Sequence, residues 1–232
     1  MFEYIKKRVT RKIRRTRRNR HSARLFWRNA HEFFYQAFRV LEFNEIDGDY
    51  AEFGSHGGHT FSVAYKEISR WDVQRHMWAF DSFQGLPVTS NRKDYHPKWQ
   101  QGSMSTNVDE FHKICRFRGI PRDAYTVVDG FYADTLKTPD IMLPENIALA
   151  YVDCDLYSST MDVLEFLLPR LKHGMILAFD DYFCWSSDQI SGERKAMLEV
   201  FSENKEWNLV HYRDIYWGGT SFVVESSNLS RQ

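Results

Sequence analysis

Ile147-Ala148-Leu149-Ala150-Tyr151-Val152-Asp153-Cys154-Asp155 is the stretch that decides how this chain folds. An unbroken apolar and aromatic run ends in two aspartates, the pattern of a strand covered on both faces in a parallel sheet. Met175-Ile176-Leu177-Ala178-Phe179 repeats it and ends in Asp180-Asp181. Ligands of such sheets gather in the crevice beyond the carboxyl ends of the strands. Four carboxylates would therefore meet at one mouth. Like charges that close are unfavourable unless protons or a cation neutralise them, and a hard divalent cation suits oxygen ligands. Capping of the following helices by Asp155 and by Asp180-Asp181 is the plainer reading of the same residues.

Working outward, strands are expected at 49–53, 77–81 and 125–128, besides 147–153 and 175–180. Helices are expected at 22–42, from the turn at 54–58 to about 70, and at 109–118, 157–171 and 192–204. Gly119-Ile120-Pro121 and His173-Gly174 act as stop signals. Segments 207–212 and 220–224 would close the sheet as an antiparallel pair. This alternation means a doubly wound α/β sheet.

The chain has 232 residues, enough for one domain with a full core. Its balanced charge hides an asymmetry. Residues 1–20 hold ten Lys/Arg against Glu3 alone, and the rest holds 21 basic and 30 acidic side chains. The expected division is a basic tail (1–20), a helix packing on the body (21–45) and a catalytic domain (46–232). Apolar runs are too short to span a membrane, and the N-terminus lacks the apolar region of a secretory signal. Cys115, Cys154 and Cys184 have no metal-binding spacing, and a cytoplasmic setting is the expectation.

Glu52-Phe53-Gly54-Ser55-His56-Gly57-Gly58 is a glycine-rich strand-to-helix turn, where backbone can approach a ligand and a helix start offers free N–H groups. Its spacing is not that of a dinucleotide fingerprint. The next strand ends in Asp81, the place where an acidic residue grips a ribose diol. Together they suit an adenosyl ligand with a charged, non-phosphate end. A loop-capping role for Asp81 is the alternative.

Four segments carry a family resemblance. Phe80-Asp81-Ser82-Phe83-Gln84-Gly85-Leu86-Pro87, the stretch from Val128 to Leu136, Asp153 to Asp162, and Gly174 to Tyr182 resemble, in order, the signature segments of the macrocin O-methyltransferase family. The resemblance covers residues 48–225. It implies a seven-stranded, Rossmann-like class I methyltransferase sheet with an N-terminal helical extension. It also implies S-adenosylmethionine and Mg2+ as cofactors, and a hydroxyl of a sugar or glycosylated small molecule as methyl acceptor. By the same resemblance Asp153, Asp180 and Asp181 would be the metal ligands and Asp155 the general base. Glu52, Gly54 and Gly57 would hold the methionine part of the cofactor, with Asp81 at the ribose, Gly130 and Phe131 near the adenine, and Ser82 as a further cofactor-binding residue. Cys154 stands where the family has glycine, which bears on how Asp155 is aimed.

The polar, aromatic segment 88–102 reads as a loop near the cofactor, with Tyr95, His96 and Trp99 suited to the apolar faces of sugars. An exposed loop with no such role is the other reading. In the tail, Phe2, Ile5, Val9 and Ile13 recur at helical spacing on a cationic segment, a pattern that fits an anionic membrane surface. A solvated tail is the alternative, nucleic acid is not an expected partner, and oligomeric state is open. Two rival functions are a metal-dependent glycosyltransferase using Asp153-Cys154-Asp155, and a non-catalytic binding protein on a methyltransferase fold.

Overall fold

Strand register explains why the aspartates meet. The computed structural model describes residues 2–71, 74–89 and 91–228, and of residues 2–15, 17 and 18 the backbone alone. Helix α1 (Phe2–Phe43) leads into β1 (Asp49–Phe53), α2 (His59–Ile68), β2 (Met77–Asp81), α3 (Val108–Phe117) and β3 (Tyr125–Asp129). A one-turn helix, α4 (Tyr132–Thr135), then β4 (Ile147–Val152), α5 (Tyr157–Leu167), β5 (Ile176–Phe179), α6 (Gly192–Glu203), β6 (Trp207–Asp214) and β7 (Thr220–Ser226) follow. The sheet runs β3-β2-β1-β4-β5-β7-β6. Strands β1 to β5 are parallel, and β7 lies antiparallel to both β5 and β6. The order reverses between β1 and β4, which opens the crevice.

Phe80, Phe53, Val152 and Phe179 form one row across β2, β1, β4 and β5. One residue further on, Asp81, Gly54, Asp153 and Asp180 emerge together at the carboxyl edge. Backbone bonds extend the ladder there: Gly54 N–H donates to Phe80 O, Asp153 N–H to Phe53 O and Asp180 N–H to Val152 O, each at 2.8 Å.

Side chains alternate between two cores, as the two-residue period of strands requires. On one face Tyr50, Tyr151 and Ala178 pack with Phe61, Phe111 and α1. On the other Phe53, Val152 and Phe179 pack with Leu164, Leu167 and Met197. Ala30, Phe33, Phe34, Ala37, Phe38 and Leu41 of α1 are buried at helical spacing, a stripe that closes the first core. The Phe34 ring lies 5.3 Å from that of Tyr151.

The expected helix at 22–42 is the second half of a longer one, because α1 continues without a break from Phe2. The tail and the packing helix are thus one backbone element. The stripe Phe2, Ile5, Val9 and Ile13 falls outside the described side chains. Among the described residues, no helix is long and apolar enough to cross a membrane.

Candidate active site

Gly54 opens the site. Its φ of +103° is in the range that favours glycine, and a Cβ there would lie 1.8 Å from the Asp153 carbonyl oxygen. The β1 turn and the end of β4 therefore press backbone to backbone. Next in the turn, His56 N–H donates to Asp81 Oδ2 at 2.7 Å, while Phe83 N–H donates to Oδ1 at 2.7 Å. Asp81 thus ties two loops together. Its burial pushes its pKa up against the lowering effect of those bonds.

Around these loops lies a cavity of about 300 Å³. Gly54, Asp81, Ser82, Gly130 and Phe131, all expected at the cofactor, line it, and Asp153, Cys154 and Asp155 line it as well. Glu52 and Gly57 are not among its lining residues. Glu52 is fully buried and accepts hydrogen bonds from the Tyr50 hydroxyl and from Thr60 Oγ1, the latter at 2.9 Å. Burial pushes its carboxyl up to about 8. It braces the turn from beneath.

Carboxylate oxygens of Asp153, Asp155 and Asp181 lie within 4.8 Å of one another. Asp153 is pushed well above the usual carboxylate range by burial, then by the charges of Asp180, Asp155 and Asp181. Asp155 is raised by burial, then by its hydrogen bond with Asp181. Among the described residues, no ion pair reaches any of these aspartates. Oxygen-only donors, crowded and without a cationic side chain, fit a hard divalent cation.

Asp180 lies outside this trio. Tyr151 donates its hydroxyl to Oδ1, and Tyr216 donates to Oδ2 at 2.6 Å. Burial and Asp181 raise its pKa to about 7, against the lowering effect of the two tyrosines.

Asp155 has φ +60°, and Leu156 N–H donates to Cys154 O at 2.5 Å across it, a γ-turn of the uncommon positive-φ kind. Glu193, which sequence reasoning missed, holds this turn. Its Oε1 accepts from Cys154 N–H at 2.8 Å and from Asp155 N–H at 3.4 Å, and Oε2 accepts from Asp181 N–H at 2.9 Å. One buried carboxylate on the first turn of α6 thereby fastens both acidic loops. In sequence it reads as an ordinary acidic residue favoured at a helix start. Gly192 beside it lets α6 come close, since a Cβ there would lie 2.8 Å from Asp155 O.

Comparison with known proteins bears on the family and the fold. The chain is 29% identical over 143 residues to the 8-demethyl-8-(2,3-dimethoxy-alpha-L-rhamnosyl)-tetracenomycin-C 4'-O-methyltransferase of Streptomyces olivaceus, covering 59% of this chain and 54% of that protein. It is 28% identical over 145 residues to the mycinamicin III 3''-O-methyltransferase of Micromonospora griseorubida, covering 59% and 56%. The matched stretch thus spans little more than half of each relative. Among solved structures, a calicheamicin methyltransferase superposes with a TM-score of 0.65 at 22% identity, over 83% of this chain and 77% of that one. The O-methyltransferase NovP superposes with a TM-score of 0.63 at 22% identity, over 84% and 79%. The fold is that of the class I O-methyltransferases. A model of the macrocin-O-methyltransferase (TylF) family matches residues 26–205, more than half of the chain, and to that family the chain belongs.

Proposed function

We propose that this protein transfers a methyl group from S-adenosylmethionine to a hydroxyl of a sugar or glycosylated small molecule, with Mg2+ bound at the acidic cluster. One observation carries the reading: a single cavity joins the Asp81 loop and the glycine turns to Asp153 and Asp155. Asp81 keeps a free lone pair on each oxygen and receives the ribose hydroxyls. Gly54 and Gly130 let the cofactor lie against backbone.

Asp153 and Asp181 hold the cation in this reading, since magnesium takes few protein ligands and keeps water and substrate oxygens. Asp180, expected as a third ligand, accepts a tyrosine hydroxyl on each oxygen and keeps a further lone pair there for the cation. When bound, the cation supplies the counter-charge that keeps the carboxylates ionised and makes a coordinated hydroxyl more acidic. Asp155, aimed by its γ-turn and by Glu193, accepts the hydroxyl proton on a carboxylate oxygen. Asp155, the buried member of the trio, is held in place for this step, and positioning of the reacting groups supplies much of the rest.

A DxD glycosyltransferase would leave the Asp81 cavity without a role, and membership of the methyltransferase family speaks against it. Titration calorimetry of S-adenosylhomocysteine, with magnesium and then with a chelator, tests the reading. Micromolar binding in both conditions, with methyl transfer to glycosides lost on chelation, is the expected result. Absence of binding in both overturns it. For the cationic half of α1, we propose contact with an anionic membrane surface. Equal binding to anionic vesicles by the full chain and by a chain starting at His21 would rule that out.

A further inference from the structure

A second cavity, of about 620 Å³, lies between α3 and the start of β3 and shares no lining residue with the cofactor cavity. Tyr125, which opens β3, lines it, whereas Gly130, just past the end of the strand, lines the cofactor cavity. The strand thus sets the two apart by roughly 16 Å, the length of five extended residues. Its volume is in the range of about 300–1,000 Å³ that small-molecule sites occupy.

Charge distinguishes this cavity. Lys113 and Arg116 of α3 and Arg122 of the turn that follows line it, with Asp109 as the one carboxylate among its lining residues. None of the three cations forms an ion pair among the described residues. Beyond residue 20 the chain holds 21 basic and 30 acidic side chains, so three unpaired cations in one hollow run against its overall charge. Asp109, His112, Lys113 and Arg116 recur at i, i+3, i+4 and i+7, which places them in one stripe of α3. A basic residue in the last turn suits the helix dipole, but that explains Arg116 alone.

Arg122 is held ready. Its guanidinium lies 5.0 Å from the centroid of the Tyr125 ring, and Nη1 donates to Tyr125 O at 2.9 Å. Its other N–H groups have no partner among the described residues. The His112 Nδ1 and the Tyr125 hydroxyl, 2.7 Å apart, add polar groups to the same wall. His112 is held below its usual pKa by burial and then by Arg122, and adds no charge at neutral pH. Three cations against one carboxylate leave an excess of two positive charges, the complement of a phosphate group carrying about −1.5 to −2. Guanidinium forks match phosphate oxygens two at a time.

We propose that this cavity binds the phosphate group of a small phosphorylated molecule, with Arg116 and Arg122 as the forks and Lys113 as the third charge. The site stands apart from methyl transfer and does not rest on the methyltransferase reading.

Calorimetric titration of pyrophosphate into the full chain, with a chelator present and ionic strength held constant with sodium chloride, tests this. Phosphatidylserine vesicles supply the same chemistry from a lipid source. Pyrophosphate is expected to bind with a Kd of about 1 mM or tighter. Arg116→Gln combined with Arg122→Gln should weaken it by about tenfold or more, and Arg122→Lys, which keeps the charge but loses the fork, by about threefold. An unchanged Tm reports that the variants are folded. Should the double variant unfold, Arg116→Gln alone, at an exposed position, is expected to weaken binding by about threefold. Failure of pyrophosphate to bind at millimolar concentration overturns the proposal. So does unaltered binding in the folded variants, which would move the anion elsewhere, for instance to the basic half of α1. Vesicle binding that needs Arg116 and Arg122, in a chain that ignores pyrophosphate, overturns it in favour of a lipid headgroup. S-adenosylhomocysteine binding is measured alongside, and its absence would undo the methyltransferase reading while leaving this site intact.

Discussion

The Asp153 carbonyl oxygen occupies the space that a side chain on Gly54 would need, 1.8 Å from an ideal Cβ. Two loops, the cofactor turn and the acidic loop, are therefore in backbone contact. Gly54→Ala must push them apart at a positive-φ position where L residues are strained. We expect at least a tenfold loss of S-adenosylhomocysteine affinity, with a lowered Tm, read by calorimetry and thermal unfolding. Wild-type affinity in this variant would show that the contact is dispensable.

Glu193 joins three backbone N–H groups of the two acidic loops. Glu193→Ala leaves buried donors unpaired, each worth about 1–3 kcal/mol. Loss of several kcal/mol in urea unfolding is expected, together with loss of the magnesium-induced rise in Tm. Glu193→Gln should recover part of the stability, because one amide oxygen still accepts. A magnesium response as large in Glu193→Ala as in wild type would free the acidic loops from α6.

Asp155→Asn and Asp81→Ala separate chemistry from binding. The first removes the proton acceptor and should lower kcat by about 10²–10⁴ with S-adenosylhomocysteine affinity unchanged. The second removes the group that ties His56 to Phe83, and should weaken S-adenosylhomocysteine by tenfold or more. Full turnover in Asp155→Asn would move the base elsewhere.

Glu52, beneath the cofactor turn, offers a pH test. Its carboxyl rises from 4.5 to about 8, with burial as the main cause. The stability it contributes is fully present below 4.5 and is lost as pH rises through about 8. Between those limits Glu52 tilts the unfolding free energy downward by up to about 1.4 kcal/mol per pH unit. Glu52→Gln should flatten the wild-type curve by that amount, measured by urea unfolding from pH 5 to 8. Parallel curves would mean that Glu52 is ionised throughout.

Much of the fold is legible along the chain. Runs such as 147–152 and 176–179 are apolar throughout because both faces of the sheet are covered, and that signal is local. Asp81 and Gly54 were legible as residues of the crevice for a similar reason: they end or follow their strands directly, and the register brings those ends level, whereas Gly130, which lines the same cavity, was expected there from the family resemblance alone. Helix α1 was legible only in its packed half, where the aromatic stripe at Phe33, Phe34 and Phe38 marks a buried face.

The site's finer arrangement was not. Glu193 reaches Cys154 across 39 positions, and Tyr216 reaches Asp180 across 36. Neither approach leaves a periodic or compositional mark. By itself the sequence determined the strand order's raw material and the edge at which the carboxylates collect, because apolar periodicity and strand length are properties of neighbouring residues. Only the tertiary structure decided which carboxylates converge, with Asp155 joining Asp153 and Asp181 while Asp180 turns to two tyrosines. Those choices depend on how α6 and the β6–β7 pair pack against the sheet, and a hydrogen bond formed or lost within an ångström is set by that packing.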